Sequence, residues 1–160
     1  MIKGKTIRVW AGLGALLWLI FLQGCTTAPA PSRNQVALVV LHSDGSVVTR
    51  CVDCGDSEIT GYDVLTGSGL EVVAAHDSSM GTTICAIDGE GCPEDDCFCK
   101  CKGDPCLYWS YWHLVDGQWQ QSQVGAGDSK AHDGDVEGWS WGDEPPGPVV
   151  SFEQVCASSS

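Results

Sequence analysis

Residues 92–106, CPEDDCFCKCKGDPC, hold five cysteines, and four more follow the N-terminal segment at Cys51, Cys54, Cys85 and Cys156. No other feature limits the fold as strongly. A chain of 160 residues builds one modest core. Its path is then set by whatever the sulfurs bind, either each other or a metal. That choice depends on the redox compartment.

The N-terminus speaks to the compartment. Lys3, Lys5 and Arg8 precede an uncharged apolar run from Val9 to Leu22. The run is shorter than the roughly 20 residues of a membrane span and has the flanks of a secretory signal. It ends in Leu22-Gln23-Gly24-Cys25, which resembles a bacterial lipobox. The expected organisation is a lipoprotein signal peptide over 1–24, lipidation at Cys25, a Pro/Ala/Thr-rich tether over 25–34, and one domain over 35–156. A cysteine-rich insertion occupies 89–106 of that domain. The protein is expected outside the cytoplasm, held on a bacterial membrane by its lipid.

Under oxidising conditions Cys51, Cys54, Cys85, Cys92, Cys97, Cys99, Cys101, Cys106 and Cys156 are disulfide candidates. Nine is odd, so four bridges at most can form and one thiol remains. If the CxCxC of Cys97, Cys99 and Cys101 is extended, its side chains share one face about 6.6 Å apart. That spacing sends each sulfur to a partner elsewhere, such as Cys85, Cys92, Cys106 or Cys156. Cys51 and Cys54 could close a small ring together. Two alternatives remain open. CxCxC plus Cys106 offers four thiolates to zinc or copper(I). Cys51-Val-Asp-Cys54 is a bare CxxC of the kind used in redox catalysis.

The formal net charge is −13. Loss of residues 1–24 would remove three cations and no anion. Such a surface repels phosphate, so nucleic acid is excluded as a partner. The partners expected are the membrane, through the lipid, and a small molecule or a protein.

Aliphatic and β-branched runs predict strands at Gln35–His42, Val47–Val52, Leu70–Ala75, Thr82–Ile87, Leu107–Val115, Gln118–Val124 and Val136–Trp141. Asp44-Gly45 and Asp116-Gly117 read as hairpin turns. Thr60 caps a short helix through Tyr62, Val64 and Leu65 that ends near Gly67 or Gly69. One helix among these strands gives an α+β class, a β-grasp-like mixed sheet stapled by disulfides.

TGYDVLTGSGLEV (60–72), CAIDGEGC (85–92), YWSYWHLVDGQWQQSQVGA (108–126) and DGDVEGWSWG (133–142) resemble the transcobalamin-like C-terminal domain family in its bacterial stand-alone form. The resemblance implies a β-grasp fold of the soluble-ligand-binding type. It also implies a corrinoid as ligand and an accessory role in nutrient uptake. No resident cofactor is expected.

Five tryptophans lie downstream of residue 100. On extended strands Trp109, Tyr111 and His113 share one face, with Trp112 on the other. Val136, Gly138 and Ser140 lie opposite Trp139 and Trp141. The ligand-binding candidates are therefore Trp109, Tyr111, Trp112, His113, Trp119, Trp139 and Trp141, with one or two rings expected to stand exposed as a platform. Asp133, Asp135 and Glu137 read as solvent-facing acids around a glycine turn. No GxSxG, HExxH or phosphate loop is present, so the expected role is binding and not catalysis.

Overall fold

The computed structural model describes Met1 and residues 34–55, 58–78 and 81–157. The chain divides into two units, Met1–Ala30 and Pro31–Ser160, and every element named here belongs to the second. The expected signal peptide, Cys25 and nearly all of the expected tether lie outside the described residues.

The run NQVALVVL forms β1 (Asn34–Leu41), whose middle five residues are buried on both faces. β2 (Val47–Gly55) returns antiparallel beside it through the Asp-Gly turn, where Gly45 has φ 84°. A strand buried on both faces must sit inside a sheet. β1 is accordingly flanked on its other edge by β10 (Val136–Trp141), running parallel. β7 (Trp109–Val115) pairs antiparallel with β10, and β8 (Gln118–Gln121) forms the outer edge. The order β2-β1-β10-β7-β8, with its two central strands parallel, is the β-grasp arrangement expected from the sequence.

α1 (Gly61–Gly67) starts where Thr60 predicts. The Thr60 hydroxyl accepts from the Asp63 amide at 3.2 Å, and the Asp63 carboxylate accepts from the Thr60 amide at 2.9 Å. This capping box satisfies two donors that a helix start leaves unpaired. Val64 and Leu65 of α1 are fully buried against Val36, Leu38 and Val40. The same face of the large sheet carries β4 (Val72–Asp77), β5 (Gly81–Ile87) and β6 (Glu90–Gly91), a separate three-stranded sheet whose Ile84 and Ile87 enter this core. β3 (Ile59–Thr60) and β9 (Lys130–Ala131) add a short antiparallel ribbon.

The opposite face holds a smaller core of Ala37, Val39, Val136, Val155 and Cys156. It is covered by α2 (Phe152–Cys156), a five-residue helix with its own capping box at Ser151. The sequence reading assigned this stretch only a disulfide.

The sulfurs settle as Cys51–Cys156, Cys85–Cys97, Cys92–Cys99 and Cys101–Cys106, and Cys54 stays a free, buried thiol. Four bridges in one domain of this size belong to an oxidising compartment. Among the described residues, no helix is long and apolar enough to cross a membrane.

Four readings of the cysteines are corrected. Cys51 and Cys54 do not form a ring. Three residues apart on β2, they point to opposite faces, Cys54 into the main core and Cys51 toward α2. The CxCxC stretch is not extended: it follows a 3-10 turn at Glu94–Asp96 and continues in turns to Lys100. Its three sulfurs are each bound to a different partner, which removes the four-thiolate site, and with Cys51 tied to Cys156 the CxxC is not a dithiol pair.

Candidate functional site

β7 and β10 are paired in register, Trp139 opposite Tyr111 and Trp141 opposite Trp109. Alternation then places Trp109, Tyr111, His113, Glu137, Trp139 and Trp141 on the α1-bearing face. Tyr111 and Trp139 stack with ring centroids 4.8 Å apart and planes 23° apart, and Trp109 tilts against Trp141 at 5.5 Å. Trp109 also donates its Nε1–H to the Glu90 carbonyl at 3.0 Å and meets the His42 ring edge-on.

These rings form one wall of a pocket of about 190 Å³ at the seam between the two larger sheets. Trp109, Tyr111 and Trp139 line it from the large sheet, Thr82, Thr83 and Ile84 from β5, Gly125 and Ala126 from a loop, Phe98 from the middle of the cysteine-rich stretch and Tyr108 from just beyond it. The bridges position that rim. Cys97, next to Phe98, is tied to Cys85 of β5, and Cys101–Cys106 closes a small ring just before Leu107 and Tyr108. Trp139 is 2% exposed, and its Nε1–H has no hydrogen-bond partner among the described residues. A buried donor left unpaired costs about 1–3 kcal/mol, and this one lies behind the wall, out of reach of solvent.

The other ring candidates are elsewhere. Trp112 and Trp119 project from the opposite face, where Trp112 donates to the Ser140 hydroxyl at 2.9 Å and Trp119 to the Gly147 carbonyl at 3.2 Å. Trp119 lies over Gly138, where a Cβ would come within 3.0 Å of its ring. None of the five tryptophans stands exposed. Trp109, Trp112 and Trp139 are buried, with Trp119 and Trp141 half-buried. The expected exposed platform is therefore a recessed pocket: a sheet covered on both faces hides rings of either parity.

His113 joins a second constellation. Its Nδ1 lies 3.0–3.1 Å from the carboxylate of Glu137, which is 2% exposed. The Tyr111 hydroxyl donates to the same carboxylate, and Ser129 Oγ is 3.4 Å from His113 Nε2. The hydrogen bond that His113 donates to Glu137 raises the His113 pKa above its ordinary value, with the charges of Glu137 and Asp135 adding to the rise and burial opposing it. The Tyr111 phenol is also pushed up, by burial first and then by the Glu137 charge. Glu137 is thus not a solvent-facing acid. The sequence held the signal: Glu137 has the parity of Trp139. Asp133 and Asp135 turn to backbone amides of Gln35 and His132, each at 2.8 Å. Phe98, Tyr108 and Ile84, which complete the aromatic pocket, carried no pattern that pointed to it.

Residues 103–160 match the model of the SCO2322-like domain. No curated protein matches the chain. Among solved structures, a candidate metal-binding protein from Ruminococcus gnavus ATCC 29149 aligns with TM-score 0.51 at 18% identity, over 69% of this chain and 98% of that one. This likeness is one of fold. Haptocorrin in complex with Cbi aligns with TM-score 0.49 at 16% identity, over 71% of this chain and 26% of haptocorrin.

Proposed function

We propose that this chain is an extracytoplasmic binding module, held on a membrane by lipid at Cys25, that takes a small organic molecule into the pocket walled by Trp109, Tyr111 and Trp139. The observation that carries the reading is that pocket, with its aromatic walls and uncharged lining. Apolar walls with few polar groups are the general character of small-molecule sites. The disulfides support export, and the lipobox-like Leu22–Cys25 supports the anchor. The fold-mate from Ruminococcus gnavus is described as binding metal, but the paired sulfurs leave no thiolate set here, which favours an organic ligand.

Size selects the ligand. Sites that enclose drug-sized molecules run to about 300–1,000 Å³, and this pocket is smaller, about 190 Å³. A corrinoid would reach it only with a projecting group. The test is a titration of tryptophan fluorescence and thermal shift with a panel of small organic solutes and with cobalamin. It is run on the parent chain and on Thr83→Trp, which fills the pocket from its rim. Saturable quenching by a small solute that Thr83→Trp abolishes supports the proposal. No saturable response, or one that survives the block, overturns it. Intact-mass analysis of the membrane-extracted protein checks the anchor, since an unmodified Cys25 removes it.

A further inference from the structure

We infer that the ligand of this pocket is a small organic cation, an alkylammonium or quaternary ammonium compound. The inference rests on the binding reading above and adds the chemical class. Five aromatic residues line the pocket: Phe98, Tyr108, Trp109, Tyr111 and Trp139. The faces of such rings carry negative potential, and a cation held among several of them is attracted without any carboxylate in contact. The other lining residues, Thr82, Thr83, Ile84, Gly125 and Ala126, carry no charge.

The way in has the matching sign. A second groove, of about 320 Å³, shares Thr83 and Phe98 with the aromatic pocket, and it is lined by Asp77, Glu94, Asp95 and Asp96 together with Ala75, His76 and Cys97. Phe98, 41% exposed, stands between the two. No lysine or arginine lines either one. Lys102 pairs with Asp96 at 3.0 Å on the exposed side. The net charge of −13 extends the same field outward. Carboxylates lining a cleft raise the local concentration of cations and repel anions. The groove gathers the positive charge, and the rings receive it once its water is shed.

The experiment compares choline with its uncharged isostere 3,3-dimethylbutan-1-ol, by calorimetry and tryptophan fluorescence on the full chain with its disulfides intact. Choline is expected to bind about tenfold or more tighter than the alcohol, the difference a desolvated cation–ring contact makes. The surface pair Glu94→Gln/Asp95→Asn should weaken choline several-fold and leave the alcohol unchanged, and about 0.5 M salt should have the same effect by screening. Thr83→Trp should abolish binding of both. Equal binding of the two compounds, or binding of the alcohol alone, overturns the cation class and leaves the small-molecule pocket standing. Choline binding that survives Thr83→Trp places the cation elsewhere and overturns the inference. If neither compound binds, the inference fails, and the solute panel decides separately whether the pocket binds anything.

Discussion

Removal of the Cys51–Cys156 bridge should cost more stability than removal of any other bridge in the chain. Cys51 sits on the edge strand β2, and Cys156 in α2 is 5% exposed. Their sequence separation is 105, against 5 for Cys101–Cys106. The loop-entropy relation gives about 4.7 kcal/mol for the long loop and about 2.2 kcal/mol for the short one. The three short bridges lie inside the long loop and shorten its free path, but the dependence is logarithmic and lowers the figure by only about 0.2 kcal/mol. A five-residue helix also has almost no stability of its own. The double variant Cys51→Ala/Cys156→Ala should therefore release α2 from the sheet and uncover Ala37, Val39 and Val136. Urea unfolding with linear extrapolation is the assay, run beside Cys101→Ala/Cys106→Ala. The midpoint of thermal unfolding should fall on the order of 15 °C for the long bridge and about half that for the short one. If the short-loop variant loses as much as the long-loop variant, the entropic reasoning is refuted, and the bridges stabilise by local packing.

Gly61→Ala should destabilise by about 1–3 kcal/mol, because its Cβ would overlap the Tyr111 hydroxyl while the Gly61 amide is held by the Ser129 carbonyl at 3.1 Å; an unchanged unfolding curve refutes the close packing. His113→Gln should cost about 1.5–3 kcal/mol near pH 5.5, the range of a hydrogen bond to a charged group. The His113 pKa is raised on folding, so its contribution is complete below about pH 6.5, the unfolded value, and is lost as pH rises through the folded one. Parent and variant stabilities should converge in alkali, and a gap that widens there refutes the assignment. Cys54 is buried, and burial together with the charges of Asp133 and Asp53 pushes its thiol pKa up. Iodoacetamide should therefore spare it in the native protein and add one label when the unreduced chain is unfolded. Rapid native labelling mapped to Cys54 by peptide mass, apart from any at Cys25, would show that Cys54 is exposed.

The β-grasp sheet was legible because its strands carry the pattern themselves. Val136–Trp141 was read with its observed limits, and its two faces separate as alternation requires. Thr60 announced α1 through a cap that needs only local atoms. Elements of two residues, such as β3 and β9, are too short for any periodicity and exist because the larger parts bring them together. α2 escaped notice for a related reason, since five residues hold a helix only when a cap, a sheet face and a sulfur fix it. Sulfur pairing was legible as a number and not as a map. Parity alone separates Cys51 from Cys54, but which distant cysteine meets Cys51 is decided by where the chain ends up. The aromatic pocket was half-read. Trp109, Tyr111 and Trp139 came from strand alternation, while Phe98 and Tyr108 arrive from a stretch whose path is set by its bridges.

The parallel contact between β1 and β10 sets an order of events. Val39 lies beside Gly138, and Leu38 beside Glu137, so the first long strand of the domain borders one of the last. A chain delivered N-terminus first, from a ribosome or through a translocase, has to hold its most apolar strand without that neighbour until about a hundred further residues have emerged. During that interval the hairpin carries two reduced sulfurs three positions apart, and the right partner for one of them follows 105 positions later. Correct oxidation of the hairpin therefore has to wait for α2 to arrive.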